Sequence, residues 1–177
     1  MRVRRFALLV ALALVAAACG PVTEQPKQPA SAAGEWRDFE GSWNAAGSRS
    51  SLSLGADRRS AIIELKGTML LAGAGRPGVG FRADVIAFTD SATGLVGRGV
   101  WTDERGDQVF SELKGEGTAA KNRITGTILG GTGRYAGATG DYAFSWQSVM
   151  EAEDGSIQGR AVDLKGRVRA GAAAAPR

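Results

Sequence analysis

The chain has 177 residues, a length typical of one domain that can bury a hydrophobic core. Glycine is abundant, with 26 residues, while charged residues make up 23% and hydrophobic residues 44%, which is typical of a globular, turn-rich β protein. The chain has no histidine and one cysteine, which excludes histidine-dependent nucleophiles, histidine-ligated metal sites and internal disulfides. We therefore expect no metal centre.

The first 18 residues have the pattern of an export signal. Three arginines stand among the first five residues, and an apolar run from Phe6 to Ala18 follows that is too short to cross a bilayer. Cys19 comes directly after small residues, and this arrangement resembles the signal of bacterial lipoproteins, in which that cysteine is diacylated and becomes the first mature residue. The resemblance implies a lipid anchor, and with Gly20 rather than Asp it implies the periplasmic face of the outer membrane in a Gram-negative host. An ordinary signal peptide cut near Ala18 is the alternative.

Composition and charge predict what lies on either side of the folded domain and one class of partner that it lacks. The net charge of +4 falls to about +1 without the three signal arginines, because 19 basic residues then face 18 acidic ones. No basic cluster remains, so we expect no nucleic-acid partner. Residues 19–35 are rich in Pro, Gln and Ala and are expected to form a flexible tether, and residues 170–177 a disordered tail. The folded domain is expected over residues 36–169.

Within this domain, apolar and polar residues alternate in short segments separated by Gly, Asp and Asn turns. This pattern is typical of an all-β, antiparallel sandwich or barrel, and it shows no amphipathic helix. Nine strand segments are predicted: 39–45, 50–54, 60–71, 80–89, 95–103, 107–116, 122–129, 140–149 and 156–169.

A repeated tetrapeptide, acid-Leu-Lys-Gly, predicts which way the strands face. It occurs at 64–67, 112–115 and 163–166. Because successive strand residues point to opposite faces, the acid and the lysine are predicted to face water while the leucine faces the core. No inward carboxylate is therefore expected. The residues predicted to point inward are Ile63, Leu65, Met69, Leu71, Val109, Leu113, Val162, Leu164 and Val168.

Two glycine-rich runs, 73–78 and 131–136, match the spacing of a phosphate-binding loop. Such a loop must open a helix whose N-terminal amides hold the phosphate. Each run is followed instead by a strand pattern, so we expect no nucleotide cofactor, and no other cofactor is indicated.

The second of these runs has another interpretation. Residues 128–140 resemble a motif of the allene oxide cyclase barrel family, in which a strand ends in Gly-Gly-Ser/Thr-Gly and an aromatic, Gly-Ala and a further Gly follow. Plant dirigent proteins share the core of this motif. The resemblance implies a closed, eight-stranded antiparallel β-barrel in which the motif forms a strand-to-strand corner, with glycines at positive φ and the aromatic residue closing one barrel end. The residues that carry it are Gly130, Gly131, Gly133, Tyr135, Gly137 and Gly140.

Aromatic residues are the candidates for a ligand site, and two interpretations are open. They either line a cavity for an apolar ligand or fill the interior of a small barrel. Three of them, at 142, 144 and 146, share one strand face and are expected to act together. The six candidates are Trp43, Phe81, Trp101, Tyr142, Phe144 and Trp146.

The function predicted from these features is that of a lipid-anchored envelope protein. Its barrel is expected to bind a hydrophobic small molecule or another envelope component without catalysis, and no catalytic residue is predicted. A cofactor-independent cyclase or isomerase, or a dirigent-type guide of a reactive intermediate, is the first alternative. A purely structural envelope protein is the second.

Overall fold

The computed structural model describes residues 34–73, 78–116 and 123–171. They all belong to one structural unit, Ser31–Arg177. The predicted signal, Cys19, nearly all of the tether and most of the tail lie outside the described residues. Within the described ranges, no helix is long and apolar enough to span a lipid bilayer.

Eight antiparallel strands form a closed barrel in chain order, which confirms the fold predicted from the sequence. The barrel closes where the first strand pairs with the last, with Trp36 opposite Arg169. A short 3-10 turn, Gly133–Tyr135, lies between the sixth and seventh strands. The strands are β1 (Trp36–Ser53), β2 (Arg59–Gly73), β3 (Val79–Asp90), β4 (Gly94–Asp103), β5 (Gln108–Gly115), β6 (Arg123–Gly131), β7 (Thr139–Glu151) and β8 (Ser156–Arg169).

The strand count differs from the nine predicted segments because 39–45 and 50–54 belong to one strand, β1. The sequence between them, Ala46 to Arg49, is rich in small residues of low strand propensity. It nevertheless pairs with β2 on one side, where Ser48 lies opposite Glu64, and with β8 on the other. Pairing on both edges thus outweighs the local preference of the segment.

The alternating strand directions give the barrel two different ends. One end, which we call the corner end, carries the β6–β7 connection at 132–138, the start of β1 and the end of β8. The other, which we call the mouth end, carries the β1–β2, β3–β4, β5–β6 and β7–β8 connections. The even-numbered strands therefore all begin at the mouth end.

The core follows the facing predicted from the repeated tetrapeptide. Leu65, Leu113 and Leu164 are 6%, 3% and 1% exposed. On the outer face, the Lys114 Nζ lies 2.8 Å from a Glu112 carboxylate oxygen. The hydrogen bond from Lys114, with the nearby positive charges, holds the pKa of Glu112 below its usual value. Glu112 thus faces outward and pairs with the lysine, as the tetrapeptide predicted.

The prediction fails at Val162, which is not part of the core, whereas its neighbour Ala161 is 3% exposed. Asp163 adopts a left-handed conformation, with φ of 55°. On the adjacent strand, Gly41 pairs with Leu164 and Trp43 pairs with Ala161, so β8 contains one extra residue at this point. This bulge shifts the alternation of all residues that precede it in β8.

Glycines on the inner face make room for large rings. A Cβ at Gly126 would overlap the ring of Tyr142, and a Cβ at Gly159 would overlap the indole of Trp146. Each ring therefore lies directly against the backbone of a neighbouring strand. The high glycine content thus determines where aromatic side chains can be placed in the barrel.

Candidate functional site

A cavity of about 460 Å³ opens at the mouth end of the barrel. All eight strands contribute lining residues, among them Arg49 from β1, Ile63 from β2 and Trp146 from β7. Its volume lies within the range of ~300–1,000 Å³ common for small-molecule sites. The open mouth end thus has room for one small ligand.

A second, smaller compartment of about 60 Å³ lies beneath the first. Its own lining is Trp43, Leu65, Val85, Ala87, Leu113 and Phe144. The side chains that border both compartments are Ile63, Leu95, Ile124, Trp146 and Ile157. The site is therefore a polar-rimmed mouth above an interior lined by aliphatic side chains and aromatic rings.

The six predicted aromatic residues form one continuous column through the barrel. From the mouth inward, successive ring centroids are 5.4, 6.2, 6.3, 5.0 and 6.1 Å apart. Tyr135 of the corner motif continues the column, 5.8 Å beyond Phe81. The order of the six is Trp146, Trp43, Phe144, Tyr142, Trp101 and Phe81.

The column divides into two halves with different roles. Trp43, Phe144 and Trp146 line the inner compartment, whereas the other three lie deeper and line neither compartment. Tyr142 therefore does not line the cavity, although Phe144 and Trp146, which share its strand face, do. Its hydroxyl donates to Ser111 Oγ at 3.0 Å, and burial raises the pKa of Tyr142 to about 12. The corner half of the barrel is filled, and the mouth half is open.

Trp43 carries an unpaired donor at the inner compartment. Its side chain is 2% exposed, and its indole Nε1–H has no hydrogen-bond acceptor within the part of the chain that the structure describes. A buried donor without an acceptor costs about 1–3 kcal/mol. This nitrogen has almost no accessible surface, so a group in the compartment does not reach it in this conformation.

The rim of the mouth is lined by three arginines that sequence reasoning did not single out. Arg49 is neutralised by Glu151, with Nη1 and Oε2 2.8 Å apart. Arg59 and Arg123 also line the mouth, together with the acidic Glu116, and neither arginine makes an ion pair with another described residue. Arg123 lies opposite Ser145 and thus on the outer face of its strand, at the edge of the mouth. Arg59 and Arg123 are the first residues of β2 and β6. In an up-and-down barrel all even-numbered strands begin at the same end, so the strand order could have placed both residues at the mouth.

Two carboxylates are buried, and one of them, Asp103, lies on the strand face of Trp101 and corrects the expectation that none points inward. Asp90, at the mouth end, is 2% exposed. It accepts hydrogen bonds from Arg58 Nη2 at 2.9 Å, from Ser60 Oγ at 2.7 Å and from the Ala92 amide at 2.8 Å. The Arg58 guanidinium, followed by the Ser60 hydroxyl, holds the pKa of Asp90 far below its usual value. Asp90 is thus a buried ion with several hydrogen-bond donors, and it joins the start of β2 to the end of β3.

The second buried carboxylate, Asp103, belongs to the corner end. Its Oδ1 accepts from the backbone amides of Arg105 and Asp107 at 2.8 and 3.0 Å, and its Oδ2 lies 2.6 Å from Arg134 Nη2. Although burial favours the neutral acid, these donors hold the pKa of Asp103 below its usual value. Arg134 Nε also donates to the Tyr135 hydroxyl at 2.9 Å, which fixes the aromatic ring at this end. Burial raises the pKa of Tyr135 to about 12.

Glycine is required at the positions of the corner motif for two different structural reasons. Gly130, Gly133 and Gly137 have φ of 138°, 50° and 68°, the left-handed region in which a side chain is strained. Gly131 does not have positive φ, contrary to the expectation for this motif; a Cβ there would overlap the Gln108 carbonyl oxygen and crowd Tyr135. At Gly140 a Cβ would overlap a backbone oxygen of β8.

No family model matches the chain, and no curated protein or solved structure shows significant similarity to it. The likeness of the corner motif to allene oxide cyclases therefore stays a prediction. The described residues contain no cluster of three or more Cys, Asp or Glu residues that could hold a metal ion. They define a closed eight-stranded barrel with an aromatic-lined cavity and an arginine-bearing rim.

Proposed function

We propose that the barrel binds a hydrophobic small molecule in the cavity at its mouth end, and that a lipid on Cys19 anchors the chain to a membrane. The observation that carries the binding role is the pair of adjacent compartments, which share five lining residues. The corner half of the barrel is closed by stacked rings, whereas Trp43, Phe144 and Trp146 leave space at the mouth half. An apolar ligand that fills this space gains burial and dispersion contacts that the empty barrel lacks.

The chemistry of the inner compartment favours binding over catalysis. Every described side chain that lines it is apolar or an indole, and none of them titrates. General acid–base chemistry requires a proton donor or acceptor within hydrogen-bond reach of the reacting group. The buried carboxylates Asp90 and Asp103 are held by strong donors at the two barrel ends and do not line either compartment. The inner compartment is therefore suited to hold a ligand unchanged.

A pair of neighbouring substitutions tests the binding site. Ile63 lines both compartments, whereas the adjacent Ile62 is exposed on the outer face. We expect Ile63→Phe to weaken binding of an uncharged naphthalene dye at least tenfold, followed by dye fluorescence, because the larger ring occupies the cavity. Ile62→Phe should bind like wild type. Equal dye affinity in the two variants would contradict the proposed site, and native mass spectrometry of protein purified from its own host would identify a ligand that co-purifies.

The anchor is supported by the sequence pattern around Cys19 and is tested independently of the cavity. Cys19→Ser is expected to abolish incorporation of a radiolabelled fatty acid and to release the protein from the membrane fraction. Density separation of inner and outer membranes then determines which of the two holds the wild-type protein. A Cys19→Ser variant that still sediments with membranes, together with an unlabelled wild type, would refute the anchor.

A further inference from the structure

We infer that the outer face of β2, β3 and β4, near the mouth end, binds a second copy of this chain in a two-fold symmetric dimer. The surface that carries this inference, which we call the apolar patch, consists of Ile62, Ile86, Phe88 and Val96. The patch lies on the outside of the barrel and lines neither compartment of the cavity. The inference therefore goes beyond ligand binding and does not depend on it.

The apolar patch is contiguous across three strands. Ile62 lies opposite Phe88, and Phe88 lies opposite Val96, so one row of apolar side chains crosses β2, β3 and β4. Ile86 is two positions from Phe88, on the same face of β3. In chain order the four residues are 58%, 62%, 45% and 52% exposed. Single exposed hydrophobic residues are common, whereas a contiguous patch with a polar rim is typical of a surface that binds a partner.

The charges beside the patch indicate that the partner is the same surface of another copy. Ile86 lies opposite Glu64 on one side and opposite Arg98 on the other, so an acid and a base stand one strand away from β3 on its two sides. The two charged side chains are 47% and 64% exposed. A two-fold axis parallel to β3 exchanges the two sides of the patch, because such an interface pairs each residue with its counterpart across the axis. Glu64 of each copy then meets Arg98 of the other.

The same axis also matches the apolar residues. It sets Ile62 of each copy against Val96 of the other, and it sets Phe88 and Ile86 against their own equivalents. An axis perpendicular to the strands through Ile86 would instead set Glu64 against Glu64, where like charges repel. The pattern of charge therefore selects the axis parallel to β3.

The curvature of the barrel limits the size of the contact. Asp84, the next outward residue along β3, would face its own equivalent, but its charge is balanced by Arg82, with Oδ2 and Nε 3.3 Å apart. Interfaces of standard size bury ~800 Å² on each partner and involve ~20–30 residues a side, more than the patch and its flanking charges supply. We therefore expect a weak and reversible dimer.

The orientation of the copies is compatible with the proposed lipid anchor. Rotation about an axis parallel to β3 preserves the direction of that strand, so both corner ends lie on the same side of the dimer. Because β1 begins at the corner end, the segments that precede Trp36 leave the two copies on that side. Two copies anchored through Cys19 in one membrane can therefore associate, and their confinement to a surface raises the effective concentration of each for the other.

Cysteine cross-linking of the full chain in its host membranes tests the position of the axis. Because Ile86 faces its own equivalent, Ile86→Cys brings two thiols together across the interface. Facing sheets pack ~10 Å apart, which is too far for a direct disulfide but within reach of a short bismaleimide. We expect at least tenfold more cross-linked dimer than for Leu70→Cys, a matched control that is 55% exposed on the outer face of β2, away from the patch. Wild type, in which Cys19 is the only cysteine, gives the background.

Charge reversal in the Ile86→Cys chain tests the pairing of Glu64 with Arg98. Glu64→Arg and Arg98→Glu should each reduce the cross-linked dimer at least tenfold, because like charges then meet at two places. Co-expression of these two variants, with tags of different size, should restore a mixed dimer, because both contacts again join opposite charges. Glu40→Arg and Arg160→Glu make the same changes of net charge at exposed positions of β1 and β8 and should cross-link like the parent.

Cross-linking of Ile86→Cys that does not exceed that of Leu70→Cys, or that survives each charge reversal, would overturn the dimer. A loss that co-expression does not restore, in variants whose circular dichroism shows a folded barrel, would overturn the axis. If no dimer forms and Ile86→Lys weakens binding of the Cys19→Ser chain to phosphatidylcholine vesicles, the patch contacts a bilayer and the second copy is refuted. Dye binding in the cavity tests the proposed function separately from all of these results.

Discussion

The substitution Leu113→Ala tests both the facing of β5 and the inner wall of the cavity. Leu113 is 3% exposed and lines the inner compartment. Removal of its buried carbons loses about 2 kcal/mol of transfer free energy at ~0.8 kcal/mol per methylene. If the new space adds a volume similar to the 60 Å³ already present, the cavity term of ~24 cal/mol per Å³ adds about 1.4 kcal/mol. We therefore expect the free energy of unfolding to fall by about 3–4 kcal/mol.

Urea denaturation followed by tryptophan fluorescence measures this loss, and the neighbouring residue provides the control. Glu112 faces outward and pairs with Lys114 and Arg98, all in contact with solvent. Glu112→Gln should leave the urea midpoint almost unchanged, because solvent screens such pairs. The enlarged cavity of Leu113→Ala should also bind benzene, which would raise its midpoint. A cost below ~1 kcal/mol for Leu113→Ala, or a Glu112→Gln variant that is equally unstable, would refute the assigned facing.

Two further substitutions test the ends of the barrel. Gly133→Ala should destabilise by ~1–2 kcal/mol in urea, because φ of 50° is strained for a side chain. Gly73→Ala, with ordinary φ and a Cβ that would only contact the Asp38 carbonyl oxygen, should change stability little, and equal effects would contradict the corner geometry. At the mouth end, the folded pKa of Asp90 lies far below its ordinary value of 3.8, so the carboxylate stabilises the fold above that pH and loses this contribution as the pH falls. The stability difference between wild type and Asp90→Asn should therefore be full at neutral pH and shrink below pH ~3.8, as acid titrations of both proteins would show. A difference that does not depend on pH would contradict this role of Asp90.

The fold could be predicted from the sequence because each strand carries its own alternation and its own turn signals. The repeated tetrapeptide predicted the facing of Leu65 and Leu113, since each lies within a regular stretch of strand. It failed at Val162 because a single left-handed residue, Asp163, shifts the register, and an aspartate at that position carries no clear mark of a bulge. The continuity of β1 was missed for a related reason, because pairing with strands distant in sequence decided it.

The site was harder to predict because its parts meet only in the folded barrel. The aromatic residues were identified, but which of them fill the interior depends on glycines of neighbouring strands, such as Gly126 under Tyr142. Asp90 can be buried as an ion because Arg58, 32 residues away, lies against it. Arg59 and Arg123 form one rim although 64 positions separate them, which requires the strand order to be known.

The closure of β1 against β8 places the first and last described residues at the corner end, opposite the mouth. Gly171 lies close enough to the corner turn that a Cβ there would overlap the Ala136 carbonyl oxygen. Whatever is joined to the barrel before Gly34 or after Gly171, whether a fusion partner, an affinity tag or a surface for immobilisation, is therefore attached on the side away from the cavity. A direct link between the two ends would also allow the chain to be reopened at a mouth-end turn, as in circular permutation.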